Sequence, residues 1–408
     1  MTRALAIVDG EHYAPVVRDA LAELPYEVVG AWLAGGTEKL RDGFELGVPL
    51  VESLEAGLEL GPELVVDLSD EPVLGPRERF LVASRVLAAG LPYVGADFRF
   101  DPPELQPFPL LSLGIVGTGK RIGKTAVSGH VARLLSRTRE VVVVAMGRGG
   151  PAEPEIAEPW PTLARLLELS RAGRHAASDY LEDAALAGVP TIGCWRCGGG
   201  LAGAPFASNV AAGAELALER SPDLVIFEGS GSALPPIETT RRLLVTAADR
   251  PLQALDPYRV LTSDLVVVTL AEREPAELRA AIRELRDVPV IAVRLRPRPV
   301  EPIAGRRVAY FTTAPASAHE SLAAHLRDAH GAEVVHVSGN LARREALRAE
   351  LAAVDADVLL TEIKAAAIDV VAEDGRELVF ADNELVPLEG EPSLDAAVEE
   401  LVAEAVPA

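Results

Sequence analysis

The chain has 408 residues, enough for two or three domains that each bury an ordinary core. Its formal net charge of −22 repels nucleic acid and anionic membranes, so neither is expected as a partner, and an anionic ligand would need a local basic pocket. No apolar run approaches the ~18 residues of a membrane helix. The N-terminus MTRALAIVDGEHY lacks a signal-peptide pattern, and two cysteines, Cys194 and Cys197, cannot make a disulfide framework, so a cytoplasmic location is expected.

Residues 1–107 read as an N-terminal α/β domain on the substrate side. Ala4–Val8 is a short apolar strand, EVVGAWL and ELVVDLSD repeat the pattern, and RERFLVASRVLAAG is a helix stopped by Gly90. Alternating strands and helices imply a parallel sheet with its ligand loops at the strands' carboxyl ends. Those ends carry Asp9-Gly10-Glu11-His12, Gly35-Gly36-Thr37-Glu38-Lys39 and Asp67-Leu68-Ser69-Asp70-Glu71. Helix capping is the competing role for each polar cluster. No GxGxxG occurs here, so dinucleotide binding has no support. The proline-rich DPPELQPFP, Asp101–Pro109, reads as a linker.

Residues 108–300 read as a nucleotide domain. The apolar run Leu110–Val116 enters a glycine-rich turn, Gly117-Thr118-Gly119-Lys120-Arg121-Ile122-Gly123-Lys124-Thr125-Ala126, and then a helix with Val127, Val131, Leu134 and Leu135 on one face. The Gly123-Lys124-Thr125 tail is that of a P-loop: backbone amides wrap phosphates, the Lys reaches the β/γ oxygens, and the Thr hydroxyl binds Mg²⁺. Thr118 stands where the strict spacing wants glycine, so the loop is one residue longer. Only four of 39 basic residues are Lys, namely Lys39, Lys120, Lys124 and Lys364. A chain that uses Arg for generic charge keeps Lys where a compact, flexible ammonium is wanted. Lys120 is therefore expected to be a second phosphate ligand. On this loop's surface position, Lys124→Ala is expected to abolish turnover and leave the fold intact.

Further along, EVVVVAM is a buried strand running into Gly147-Arg148-Gly149-Gly150-Pro151, where Arg148 can grip phosphate bidentately. VPTIGC is the next strand, followed by Trp195-Arg196-Cys197-Gly198-Gly199-Gly200. Two cysteines cannot complete a zinc site, and three glycines after the CxxC do not suit a redox helix. The better reading is a backbone-rich anion loop holding Arg196, with the cysteines packed as small apolar residues. LVIF then ends in Glu228, before Gly229-Ser230-Gly231, in the Walker-B arrangement where the acid holds Mg²⁺. DLVVVTL and VPVIAVRL close this domain, and RPRPVEPIAG, Arg296–Gly305, reads as a second linker. Residues 301–408 are again α/β, with Lys364 just after a strand and His319, His325, His330 and His336 read mainly as surface residues. The fold class is α/β, a central P-loop NTPase parallel sheet flanked by N-terminal and C-terminal Rossmann-like α/β domains.

Two resemblances follow. The long P-loop with Val225–Gly231 resembles the dethiobiotin synthetase and cobyrinic acid synthase group, over the central domain alone. Over most of the chain, GIVGTGKRIGKTAVSGHVARLL, AMGRGGP, IGCWRCGGGLAG, EGSGSALPPI, DGEHYAPVV and GGTEK are similar to the cyclic 2,3-diphosphoglycerate synthetases. That resemblance implies an ATP-dependent ligase which activates one phosphate of 2,3-bisphosphoglycerate and closes an intramolecular phosphoanhydride. ATP and Mg²⁺ are the implied cofactors, a small phosphorylated acid the partner, and a homodimer the assembly. Lys120, Lys124, Arg148 and Glu228 are the expected catalytic set, with Thr125 and Glu228 on the metal. The substrate set is Asp9, Gly10, Glu11, His12, Lys39, Arg148, Gly149, Gly150, Arg196, Gly198, Gly199, Ser230 and Lys364. The strand ending at Met146 lacks the Asp of related ATPases, so a second metal carboxylate either comes from elsewhere, with Asp179 and Glu153 as candidates, or is absent. The competing expectations are a carboxylate-activating synthetase of the dethiobiotin type and a P-loop ATPase switch.

Overall fold

Runs of Val, Leu and Ile separated by helices become parallel strands here, in two sheets. The computed structural model describes residues 1–408 except 36–38, 40–43, 72, 159–167, 169–178, 364–369 and 406–408, with Asp179 and Glu182 described by backbone alone. Two units result: Met1–Glu104 with Leu252–Thr262 and Ala281–Asp287, and Leu105–Pro251 with Ser263–Ala280 and Val288–Ala408.

In the first unit, β1 (Arg3–Val8), β2 (Glu27–Leu33), β3 (Leu50–Val51), β4 (Leu64–Asp67), β5 (Tyr93–Val94) and β6 (Arg99–Phe100) lie in the order β3-β2-β1-β4-β5-β6. All pairings are parallel except β5–β6. Helices α1 (Ala14–Glu23), α2 (Leu54–Leu58) and α3 (Pro76–Ala88) make the crossovers. Ala4 through Val8 are buried, as a central parallel strand requires. Asp9 and Asp67 sit at the carboxyl ends of the neighbouring β1 and β4.

In the second unit the elements run β7 (Ser112–Gly117), α4 (Lys124–Leu135), β8 (Val141–Gly147), β9 (Glu155–Ala157), α5 (Asp179–Ala187), β10 (Thr191–Cys197), β11 (Ala207–Ser208), α6 (Val210–Glu219), β12 (Leu224–Glu228), β13 (Arg241–Ala247) and β14 (Leu265–Thr269). After α7 (Asp256–Leu261, in the first unit) and α8 (Ala276–Leu285) come β15 (Val290–Pro299), β16 (Arg307–Phe311), α9 (His319–His330), β17 (Glu333–Ser338), α10 (Arg344–Ala353), β18 (Val358–Glu362), β19 (Glu377–Pro387) and α11 (Leu394–Ala403). They build one sheet in the order β11-β10-β8-β12-β7-β13-β14-β15-β19-β18-β16-β17, with β9 on β10. From β10 to β15 every pairing is parallel, so the segments that follow these strands share one edge.

Residues 301–408 join that sheet through the antiparallel pair β15–β19. This corrects the reading of Arg296–Gly305 as a linker, since β15 runs to Pro299. Prolines at 297 and 299 are tolerated because strand neighbours alternate. Val300 donates its N–H to Phe380 at 2.9 Å, so the even positions face β19 and the odd ones turn their missing N–H away. On that other side β14 pairs only as far as Ala292. Buried Asp382 of β19 accepts from Arg298 of β15 at 2.8 Å and pairs with Arg133 of α4 at 2.6 Å. Asp395 of α11 bonds His130 of α4 at 2.7 Å. The P-loop helix is thus tied to two C-terminal elements, β19 and α11.

Candidate active site

Gly117 closes β7 because nothing larger fits: a Cβ there would lie 2.7 Å from Ile122 and 3.2 Å from the carbonyl of Gly231. The loop then crosses left-handed backbone at Arg121 (φ 58°) and Gly123 (φ 74°) before α4 begins at Lys124. Holding a non-glycine residue at Arg121 in that region costs on the order of 1 kcal/mol. Neighbouring strands supply the restraint. The Thr118 N–H donates to Val245 at 3.1 Å, and the Thr118 and Thr246 hydroxyls meet at 3.0 Å. The Thr269 hydroxyl lies within reach of the Ile122 carbonyl and, at 3.0 Å, the Thr246 carbonyl. Arg250 donates to the Lys120 carbonyl at 2.9 Å. The sequence alone singles out none of Thr246, Arg250 and Thr269 as site residues, and it does not mark β13, which carries Thr246, as a strand. Its signal was the apolar core of RRLLVTA.

β12 lies beside β7, and Glu228 aligns with Ile115. That register brings the Glu228 carboxylate to the Lys124 ammonium, and the two form an ion pair in which both side chains are buried. Oε1 accepts from Nζ, while Oε2 is buried without a hydrogen-bond partner among the described residues. A buried carboxylate oxygen left bare beside the first turn of α4, where Thr125 follows Lys124, is a fit for a hard cation. Lys124 is therefore not the exposed loop residue that the sequence suggested; only 8% of it reaches solvent.

Two arginines approach from the other side of β12. β8 ends at Gly147, so Arg148 follows directly and is exposed. Arg196 lies on β10, paired with Ser208 of β11, which corrects its assignment to a loop: the loop begins at Gly198. The Arg196 guanidinium donates from Nη1 to the Gly198 carbonyl at 2.6 Å and from Nη2 to the Ser230 carbonyl at 2.9 Å, leaving Nε buried and without a hydrogen-bond partner among the described residues. Burial first, and then the charge of Arg148, push the Arg196 pKa down. Around Gly231 (φ 61°) three basic side chains come together. A Cβ placed there would be 3.6 Å from Lys120 Cγ and 3.7 Å from Nη2 of both Arg148 and Arg196.

Arg148, Arg196, Cys197, Gly198, Gly199, Ser232 and Ala233 line a cavity of about 440 Å³. The segment after β8 packs against β10 backbone to backbone, since a Cβ on Gly150 would sit 2.1 Å from the Cys194 carbonyl oxygen. Cys194 is buried against α6, and burial pushes its thiol up to about 12, whereas Cys197 is exposed. Ser230 contributes its carbonyl to Arg196 and closes a tight turn with Ala233 at 3.1 Å. Glu153 is exposed, and the Asp179 side chain and all of Lys364 lie outside the described residues.

In the first unit, Asp9 is no helix cap: α1 has no side-chain cap. Its carboxylate instead accepts from the Glu11 N–H at 3.0 Å, from His12 at 2.8 Å and from the Asp70 N–H at 2.6 Å. Burial raises its pKa, but these bonds outweigh burial and hold it below the usual carboxylate range. The Gly10 carbonyl accepts from Lys39 at 3.1 Å, and the Lys39 ammonium faces Glu11 at 3.9 Å. Asp67 gathers Ser69, Arg79 and Tyr93. A cavity of about 700 Å³ lies here, with Asp9, His12, Asp67, Asp70 and Arg79 in its wall. The cations of this cluster are already paired to carboxylates, whereas Arg148 has no carboxylate partner among the described residues.

Three family models cover the chain: the N-terminal domain of cyclic 2,3-diphosphoglycerate synthetase at residues 3–101, its P-loop domain at 112–291 and its C-terminal domain at 299–384. Curated cyclic 2,3-diphosphoglycerate synthetases are similar end to end. The Rubrobacter xylanophilus protein is 48% identical, covering 94% of both chains. That of Thermococcus gammatolerans is 42% identical over 97% of this chain and 96% of its own. That of Methanothermus fervidus is 39% identical over 99% and 97%. With a P-loop, its acidic strand end and three matched domains in order, this chain is an enzyme and belongs to the cyclic 2,3-diphosphoglycerate synthetase family.

Proposed function

We propose that the protein is an ATP-dependent ligase that closes the phosphoanhydride ring of cyclic 2,3-diphosphoglycerate from 2,3-bisphosphoglycerate. The observation that supports this is the convergence of the Lys120, Arg148 and Arg196 side chains around Gly231, three residues after Glu228, the partner of Lys124. In a chain of net charge −22, three cations on one glycine mark a site for an unusually dense anion.

In this reading an oxygen of one substrate phosphate attacks the γ-phosphorus of ATP, and the bond to the ADP oxygen breaks. An oxygen of the second phosphate then attacks the first phosphorus. The ring anhydride forms and inorganic phosphate leaves, so no water is consumed. Lys124 and the loop amides would take the β/γ oxygens, with Lys120 on the same charge. Arg148 and Arg196 would hold the two substrate phosphates together against their repulsion, which makes ring closure unimolecular. Thr125 and Glu228 would hold Mg²⁺, which neutralises charge on a transferring phosphoryl group. No protein nucleophile is required.

The test is ³¹P NMR of the protein with ATP and 2,3-bisphosphoglycerate. A cyclic anhydride signal should grow with ADP and phosphate in equal amounts. ATP hydrolysis that ignores the acid, with no cyclic product, would instead favour a switch and end this reading.

A further inference from the structure

We propose a transition-metal site in the C-terminal part of the second unit, formed by His325 and His330 of α9 and Glu384 of β19. One ligand atom from each lies within 4.8 Å of both others. Nε2 of His325 pairs with Oε1 of Glu384 at 2.5 Å. Nε2 of His330 is buried and has no hydrogen-bond partner among the described residues. The two rings meet edge to face with centroids 5.4 Å apart.

The buried His330 nitrogen, without a hydrogen-bond partner among the described residues and beside a second imidazole that already faces a carboxylate, is costly as plain packing, because a desolvated lone pair wants a proton or a cation. Both residues are half-buried, which corrects the expectation that they are mainly surface residues. Two nitrogens and one oxygen suit Zn²⁺ or Co²⁺, whereas Mg²⁺ and Ca²⁺ prefer all-oxygen shells. The remaining coordination belongs to water or to the second oxygen of Glu384.

Placement gives the site its role. Glu384 pairs with Arg296 across the β15–β19 seam, which joins the C-terminal strands to the P-loop sheet. His330 ends α9, where Gly331 (φ 65°) turns the chain back. A metal held by all three would clip the end of α9 to that seam. It is separate from the Mg²⁺ proposed at Thr125 and Glu228 and does not depend on the ring-closing reaction.

The test uses the full, untagged chain, freed of metal with a chelator and titrated with Co²⁺ alone, then with Zn²⁺ as competitor. Wild type should take up about one Co²⁺ per chain, with visible d–d bands that Zn²⁺ abolishes. Its melting midpoint should rise by a few degrees. His330→Ala and the near-isosteric Glu384→Gln should each weaken uptake at least about 100-fold while melting like metal-free wild type. Absence of saturable binding in wild type would overturn the proposal. So would unchanged Co²⁺ affinity in both variants, which would place the metal elsewhere.

Discussion

Lys124 and Glu228, 104 residues apart in sequence, form one buried ion pair at the adjoining ends of α4 and β12. Lys124 is therefore part of the interior as well as of the phosphate loop. Lys124→Ala should abolish turnover and also cost about 3 kcal/mol of stability, because it strands the Glu228 charge in the interior. The double variant Lys124→Met/Glu228→Gln, which removes both charges, should recover much of that loss. Urea unfolding of the single and double variants checks this. A single variant as stable as wild type would contradict the burial of the pair.

Glu228→Gln keeps the shape and loses the charge. It should reduce Mg²⁺-dependent turnover far more than ATP binding, measured by titration calorimetry beside a Mg²⁺ dependence of rate. Overlapping Mg²⁺ curves for variant and wild type would make Glu228 a structural partner of Lys124 and nothing else.

Arg148 and Arg196 should separate in their effects. Arg148 is exposed and Arg196 is tied to the carbonyls of Gly198 and Ser230. Arg148→Ala should raise KM for 2,3-bisphosphoglycerate by at least tenfold, about 1.4 kcal/mol or more, with little change in thermal midpoint. Arg148→Lys should restore only part, since the fork is lost. Arg196→Ala should show the same KM defect and also melt earlier, by about 1–3 kcal/mol of lost hydrogen bonding. Unaltered KM for the acid in both alanine variants would remove them from the substrate site.

The cysteines give a labelling test of the same cavity. Cys194 is buried with its thiol pushed up to about 12, so it presents almost no thiolate at neutral pH. Cys197 is exposed and lines the cavity with Arg148 and Arg196. N-ethylmaleimide should modify Cys197 alone, inactivate the enzyme, and be slowed by 2,3-bisphosphoglycerate. Intact-mass spectrometry reads the stoichiometry. Modification that leaves activity unchanged would place the substrate elsewhere.

Asp9 predicts an acid-side response of the first unit. Its folded pKa lies below the ordinary 3.8, because hydrogen bonds from Asp70, His12 and Glu11 outweigh its burial. A depressed carboxylate contributes stability above its unfolded pKa, and that contribution disappears as pH falls through the folded value. Asp9→Asn should therefore be less stable than wild type at pH 7, with the gap closing below about pH 4. Trp32 on β2, the tryptophan of residues 1–104, reports the unfolding of this unit. A gap independent of pH would mean that the Asp9 charge contributes nothing.

The sequence by itself determined the elements whose causes are local. The strand–turn–helix of the P-loop is one, because glycine at 117 and 123 and the apolar stripe of α4 act within a few turns of each other. The parallel character of the strands is another, since unbroken runs such as Val141–Val144 can only be buried on both faces. Only tertiary structure decided which distant residues meet. Strand order β10-β8-β12-β7 carries Arg196, Arg148, Glu228 and the P-loop to one edge, and no spacing in the chain encodes that order. Pairing also overrode composition at Pro297 and Pro299, which read as a linker until β19 lay beside them and matched their missing N–H groups to an unpaired edge. The same strand carries Glu384 to His325 and His330. Long-range pairing costs chain entropy that only the assembled sheet repays, so its partners are chosen by the fold as a whole.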